Sequence, residues 1–240
     1  MFTLHRRARG ALALMALAWL GACSGYDSGE LGSPGEGVIL AMPLTTGSEE
    51  ARNHYLAGTD AADVSRFLDA RDHFLQAVAS DSTFAMGHLQ AANFANSLDE
   101  FTAHLRAAEA QMLAATRAEQ LMIQVTRKGF DGDVEGQLET AIALTQETPE
   151  SPRAWLTLAG VQTGLNRHED ARASIRRAIE LAPTLVTAHI QLGNSYLFDD
   201  PKDFTAEQAH MQSAVELRRP IPGRRSRPLG TASRSSSGAT

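Results

Sequence analysis

The sequence predicts an all-α fold, an α-solenoid of about five antiparallel helix pairs between residues 48 and 217. Apolar residues follow a helical period through this stretch, and small residues recur near every thirty-fourth position. No alternating run of β-branched residues is long enough to predict a sheet. Because one helix pair cannot bury its apolar face alone, neighbouring pairs are expected to stack around a continuous core.

The clearest helix pair lies at residues 152–185. Large and small residues stand there at fixed places: Trp155, Leu158, Ala159, Ala171, Ile175, Ala178 and Pro183. The alanines allow two helices to approach closely, and the large side chains fill the space between them. Pro183 cannot continue a helix and is expected to end the pair.

Four further pairs appear when this pattern is laid over the rest of the chain. Residues 51–84 and 186–217 match it well, 115–148 match it in part, and 85–114 keep the helical period with a shorter loop. Ser48, which is followed by two glutamates, supplies an N-cap and acidic first turn for the first helix.

The histidines and acids form no catalytic or metal-binding pattern. His54, His88 and His189 each stand at the fourth place of a pair, where the clearest pair has Trp155. A repeated structural place explains them better than a metal site, because no His-x3-His spacing with an acid occurs. There is also no nucleophile elbow or phosphate loop. We therefore predict a protein that is not an enzyme and that uses no cofactor.

The charge is distributed unevenly along the chain. Residues 23–217 hold 13 Lys+Arg and 28 Asp+Glu, a net charge of −15, whereas residues 218–240 hold six arginines and no acid. An acidic body argues against nucleic-acid binding.

The first 22 residues are predicted to be a signal peptide, because a basic start precedes an apolar run, Ala11–Leu20, that is too short to span a bilayer. The run ends in Leu-Gly-Ala-Cys, which resembles the lipobox of bacterial lipoproteins. That resemblance implies cleavage before Cys23 and lipidation of Cys23; the alternative is ordinary signal cleavage. Ser24, rather than Asp, then favours the outer membrane by resemblance to sorting rules.

Residues 23–47 are rich in Gly, Ser and Pro and are predicted to be a flexible tether. An apolar island at residues 38–44 either packs on the first helix or belongs to the linker.

The basic tail at residues 218–240 has the composition of a disordered segment. It begins where another repeat is expected, and Arg, Pro, Gly and Ser dominate it. One hypothesis is therefore a frameshift or a truncated gene; the other is a genuine basic tail that binds acidic groups. A helical repeat in another reading frame of the coding DNA would decide between them.

The repeat pattern resembles the tetratricopeptide-repeat family most closely at residues 152–185. This resemblance implies a right-handed superhelix whose first helices line a concave groove for a peptide or a partner's helix. In that family the second, fifth, ninth and twelfth places of each first helix face the groove. These places predict the following groove residues: Arg52, Tyr55, Met86, Leu89, Asn93, Asn96, Arg153, Leu156, Thr163, Thr187, Ile190, Asn194 and Leu197.

Two interpretations of the apolar groove places remain open. In the first, Leu156 and Ile190 contact a partly apolar segment of a partner, and the asparagines bind its backbone. In the second, adjacent helices of the chain shield these side chains.

The leading functional hypothesis is a non-enzymatic protein-interaction or scaffold module, anchored by lipid on the periplasmic side of a bacterial envelope. Its partner would be a protein or peptide in the groove, with no nucleic acid. The alternative is the repeat portion of a truncated sensory or regulatory protein, as in related chains that join such repeats to catalytic or DNA-binding domains. A third hypothesis is an enzyme with a site built across the groove.

Overall fold

The computed structural model describes residues 44–218, and these form ten α-helices, one 3-10 turn and no strand. The helices are α1 (Glu49–Asp63), α2 (Phe67–Ser80), α3 (Ala85–Asn93), α4 (Leu98–Ala110), α5 (Arg117–Asp131), α6 (Val134–Glu147), α7 (Pro152–Gly164), α8 (His168–Leu181), α9 (Val186–Phe198) and α10 (Phe204–Leu217). The 3-10 turn, Met112–Ala114, lies between α4 and α5. The prediction of ten helices between residues 48 and 217 is confirmed.

Consecutive helices pack as five hairpins, which we number 1 to 5 from α1–α2 to α9–α10. Hairpins 1 and 2 meet through α2 and α3, hairpins 3 and 4 through α6 and α7, and hairpins 4 and 5 through α8 and α9. Hairpins 2 and 3 meet where α3, α4 and the 3-10 turn contact α5. The described part of the chain is therefore a solenoid of five stacked helix hairpins.

Side chains in the loops fix where several helices begin. Ser48, Ser97, Asp133, Ser151 and Asp203 each accept a hydrogen bond from a backbone N–H in the first turn of the helix that follows. Each cap satisfies a donor that has no partner inside the helix.

The turn inside three of the hairpins contains a residue with a left-handed backbone. Ser65, Gly132 and Asn166 have φ angles of 64°, 75° and 57°, in hairpins 1, 3 and 4 respectively. Glycine adopts this conformation at no steric cost and asparagine adopts it more readily than most residues.

The spacing of small residues has the structural role that the sequence predicts. Ala70 and Ala77 of α2, and Ala171 and Ala178 of α8, are fully buried, with Phe74 and Ile175 respectively between them. Two helices can approach closely at the alanines because no longer side chain separates them.

Several sequence predictions fall outside the described residues. The signal peptide at residues 1–22, Cys23 and the basic tail after Arg218 are among them, and of the predicted tether only residues 44–47 are described. Within the described part, no helix is both long and apolar enough to cross a membrane.

Candidate functional site

The candidate site is the inner face of the solenoid, formed by the first helices of the hairpins, α1, α3, α5, α7 and α9. At the N-terminal end this face is filled by the chain itself. Tyr55 packs edge-on against Phe74 and lies beside Phe84, with ring centroids 5.8 and 5.3 Å away. Burial raises the pKa of the Tyr55 hydroxyl above its ordinary value.

Four predicted groove residues are buried, namely Tyr55, Met86, Leu89 and Leu156. The first three belong to one core cluster around hairpins 1 and 2, and Leu156 belongs to a cluster in hairpins 4 and 5. Neighbouring helices cover them, as the second interpretation of the sequence expects. We therefore leave these four out of the partner surface.

Two charged residues close the inner face across the solenoid. Arg153, at the start of α7, donates a hydrogen bond from Nη2 to the Asp63 carboxylate, at the end of α1, over 2.5 Å. α1 also contacts α9. The first hairpin thus reaches hairpins 4 and 5, and Arg153 is bound within the chain instead of pointing to an open groove.

Asp60 lies one turn before Asp63 on α1. The pKa of Asp60 is raised to about 6, mainly by burial and in addition by the nearby Asp63 carboxylate, while Arg153 opposes the shift. One guanidinium therefore faces two carboxylates at this closure.

Arg52, a further predicted groove residue, binds the segment that precedes α1. Its guanidinium donates hydrogen bonds to the carbonyl oxygens of Leu44 and Thr46. The Leu44 side chain is buried in the core cluster of hairpins 1 and 2. Residues 44–47 are thus packed on the solenoid, which differs from the predicted flexible tether.

Glu119 anchors the same segment, and the sequence did not predict this role. Its buried carboxylate accepts hydrogen bonds from the backbone N–H and the hydroxyl of Thr45. The carboxylate also accepts from the backbone N–H of Thr116, which completes a capping box at the start of α5. The Thr-x-x-Glu spacing indicates the cap, but the bond to Thr45 spans 74 residues and has no sequence signal.

The two asparagines of hairpin 2 are exposed, but they do not share a helix. Asn93 is the last residue of α3, and its side-chain amide donates to Gln90. Asn96 lies in the loop beyond α3, where its backbone N–H donates to Glu100. Because α3 has only nine residues, its twelfth place falls outside the helix.

The remaining predicted groove residues and one residue that was not predicted, Gly160, form a surface on α7 and α9. It consists of Gly160 and Thr163 of α7 with Thr187, Ile190, Asn194 and Leu197 of α9, and we call it the α7–α9 surface. Gly160 and Gly164 are exposed, and a Cβ atom added at either would meet nothing within 4 Å. Ile190, Asn194 and Leu197 are half-buried and lie at helical spacing on one side of α9.

Arg172 of α8 binds the end of α9 and so supports this surface, a role that the sequence did not predict. It is 1% exposed, and its Nη2 atom lies 2.7–2.9 Å from the carbonyl oxygens of Ser195, Asp199 and Pro201. Its guanidinium also lies 4.6 Å from the centre of the Tyr196 ring. A helical pattern places position 172 next to a buried alanine, but no pattern indicates a buried arginine that binds the end of α9.

The recurring histidines prove to be structural contacts between the two helices of a hairpin. His88 lies against His104, and His189 lies against His210. Within residues 44–218, no group of three metal-ligand side chains comes together.

The chain was compared with known proteins. No protein-family model matches it, and no curated protein is found as a relative. Among solved structures it is similar to MamA from Desulfovibrio magneticus RS-1, with 14% identity and a TM-score of 0.41, over 72% of this chain and 97% of that one. It is also similar to MamA of AMB-1, with 16% identity and a TM-score of 0.38, over 70% and 91% of the two chains. A third is residues 1–338 of the assembly chaperone of RpL4 (Acl4), with 18% identity and a TM-score of 0.32, over 71% and 75%. At these values the likeness carries no argument about what this chain binds.

Proposed function

We propose that this protein is a non-enzymatic protein-interaction module. Its α7–α9 surface binds a partly apolar segment of another protein, and a lipid on Cys23 anchors the module to the periplasmic side of the outer membrane. The repeat fold supports the first part, because stacked hairpins present a continuous inner face that suits an extended or helical ligand.

One observation carries the binding proposal. The inner face is filled by the chain at hairpins 1 and 2, whereas on α7 and α9 it stays accessible beside two exposed glycines. Ile190 and Leu197 lie seven residues apart on α9, so they present two apolar anchors on one side of the helix. Asn194, which lies between them, offers both a donor and acceptor to a backbone.

A site-specific crosslinking experiment tests this surface. A photo-reactive phenylalanine derivative replaces Leu197 in the full chain, expressed in its native envelope, and an otherwise identical chain carries it at Leu113. Leu113 is 98% exposed on the 3-10 turn and lies outside the α7–α9 surface, so it reports random encounters. We expect one stoichiometric crosslinked partner from position 197 and none from position 113.

Substitutions supply the matched control. In the chain that carries the crosslinking residue at position 197, Ile190→Asp should abolish capture of that partner, because a charge replaces the second apolar anchor. Leu68→Asp places the same charge on α2, where Leu68 is 76% exposed, and should leave capture intact. Equal crosslinking in all variants, with unchanged helix content by circular dichroism, would exclude the α7–α9 surface.

The lipid anchor has a test of its own. Metabolic labelling with a fatty-acid analogue should label the wild-type chain and not a Cys23→Ala variant, and only the wild type should sediment with outer membranes. An unlabelled wild-type chain would remove the anchor and leave the binding proposal standing.

A further inference from the structure

Six histidines form three pairs, and each pair joins the two helices of one hairpin. The pairs are His54 with His73 in hairpin 1, His88 with His104 in hairpin 2, and His189 with His210 in hairpin 5, with ring centroids 5.7, 5.3 and 5.8 Å apart. The sequence shows only the recurrence of the first member of each pair. We infer that these pairs are acid-sensitive contacts, whose protonation selectively opens hairpins 1, 2 and 5.

In two of the first-helix histidines, hydrogen bonds determine which ring nitrogen carries the proton of the neutral ring. His88 Nε2 lies 3.0 Å from the Ser82 carbonyl oxygen, and His189 Nε2 lies 3.0 Å from that of Pro183. A carbonyl only accepts, so each Nε2 carries the proton and each Nδ1 is left with a lone pair. These tautomers are inferred from the carbonyl partners of the two rings.

In hairpins 1 and 2 the Nδ1 atoms of the two paired rings face each other. His88 Nδ1 lies 3.1 Å from His104 Nδ1, which must therefore donate, and the corresponding atoms of His54 and His73 are 3.4 Å apart. In hairpin 5 the Nδ1 atom of His189 is buried without a hydrogen-bond partner. In hairpins 1 and 2 a pair can take up one proton and keep its N–H···N bond. A second proton would set two N–H groups and two positive charges against each other.

The surroundings favour the neutral form of the second-helix histidines. Burial, followed by the partner histidine, lowers the pKa of His73, His104 and His210 below the ordinary value of 6.5.

Other charged groups near these rings act in both directions. Asp69 and Asp72 favour the charged form of His73, and Glu100 favours that of His104. The groups that oppose protonation are Arg66 near His73, Arg71 near His104 and Arg176 near His210. Asp81, at the end of α2, lies near His88: hydrogen bonds from Thr46 and Thr83 lower the pKa of its carboxyl most, and His88 lowers it further.

These groups determine the sign of the pH dependence. In the open state the histidines take up protons near pH 6.5, whereas in the closed hairpins the second-helix histidines are protonated only at a lower pH. Protonation therefore begins to favour opening as the pH falls below about 6.5. For one proton per pair, the opening constant rises by up to about tenfold per pH unit below that value.

Hairpins 3 and 4 provide an internal control, because they hold no such pair. Trp155 occupies the fourth place of α7, and the histidine of α8, His168, lies against Asp199 instead of another histidine. Acid should therefore leave α5–α8 closed while the flanking hairpins open.

Hydrogen exchange followed by mass spectrometry tests the inference on the full chain at pH 7.5 and 5.0, after correction for intrinsic exchange. In the wild type, protection of α1–α4 and α9–α10 should fall relative to α5–α8, by up to about thirtyfold for one proton per pair. Asn mimics the Nδ1–H donor of histidine without titrating, so the variant His73→Asn, His104→Asn and His210→Asn should lose this response. The His168→Asn control should keep it.

Single variants keep the test decisive if the triple variant does not fold. His104→Asn alone should remove the acid response of hairpin 2 and leave that of hairpins 1 and 5. Uniform loss of protection along the chain, an unchanged response in the Asn variants, or full protection at pH 5.0 would each overturn the inference.

Discussion

Asp63 and Arg153 are 90 positions apart in the sequence, yet their side chains form an ion pair that links α1 to α7. The Asp63 side chain is 9% exposed and that of Arg153 is 24% exposed, so water screens the pair only in part. This pair joins the first hairpin to the fourth across the inner side of the solenoid.

Loss of Arg153 should destabilise the closed solenoid. In Arg153→Met the Asp63 carboxylate keeps its burial and loses its partner, so the free energy of unfolding should fall by about 2–3 kcal/mol. Asp63→Asn should cost less, because an amide still accepts a hydrogen bond from Arg153. Urea unfolding measures both changes, and the double variant completes a cycle in which we expect a coupling energy above about 1 kcal/mol. Additive effects of the two single substitutions would mean that the ion pair does not hold α1 against α7. Solution scattering adds a second check: an unchanged radius of gyration in Arg153→Met would mean that the solenoid stays closed without the pair.

Asp60 should lower stability at neutral pH. Its pKa of about 6 exceeds the ordinary 3.8, so the folded state holds the proton more tightly than the unfolded state. Stability is therefore lost as the pH rises from about 4 through 6. Asp60→Asn, which stays neutral, should be more stable than the wild type by about 1 kcal/mol at pH 7.5. This value discounts the full shift because Asp60 remains partly exposed to solvent.

The pH series itself supplies the control for Asp60. At pH 4 the wild-type carboxyl is protonated in the folded state, so the two proteins should unfold at the same urea concentration. Asp72→Asn, at an exposed position of α2, should differ from the wild type by less than about 0.5 kcal/mol at either pH. A constant difference between Asp60→Asn and the wild type at both pH values would contradict the prediction.

Two glycines at the same place of their repeats should respond differently to substitution by alanine. A Cβ atom at Gly58 would lie 2.7–3.0 Å from three ring atoms of buried Phe74, whereas one at Gly193 would lie 2.9 Å from the terminal methyl of Met211. A buried ring cannot move aside, but a methionine can change rotamer. We expect Gly58→Ala to cost about 1–2 kcal/mol even though alanine favours the helix.

Gly193→Ala is the matched comparison. The gain in helix propensity and the small displacement of Met211 should nearly cancel, so its free energy of unfolding should stay within about 0.5 kcal/mol of the wild type. Urea unfolding of Gly58→Ala and Gly193→Ala measures and compares the two free energies of unfolding. Equal destabilisation of both would show that the hairpins pack with the same rigidity.

The sequence predicted the hairpins because their cause is local and periodic. Alanine at positions 171 and 178 marks a close helix contact, and Ser48 marks a helix start, wherever the chain folds in three dimensions. The contact between α1 and α7 depends instead on the curvature of the whole stack of hairpins. That curvature is the sum of many small packing angles between neighbouring hairpins. No spacing reveals that Asp63 will meet Arg153, and for the same reason the sequence could not predict which groove places are covered.

Arg172 should prove to be the main support of α9, the helix that carries most of the α7–α9 surface. Its guanidinium is almost fully buried and lies within hydrogen-bond distance of three carbonyl oxygens at the end of α9 and in the next loop. Lysine offers one compact charge in place of a planar fork, so Arg172→Lys should still cost about 2–3 kcal/mol. Arg172→Met leaves the carbonyl oxygens without a donor and should cost about 3–5 kcal/mol.

Arg177 of the same helix gives the control for Arg172. It is partly exposed and pairs with Glu150 and Glu180 at the surface, so Arg177→Lys should change stability by less than about 0.5 kcal/mol. Hydrogen exchange should show the loss of protection in Arg172→Lys first in α9 and α10, because the broken contacts hold that hairpin to α8. If protection fell equally in hairpin 1, Arg172 would support the whole stack and not α9 in particular.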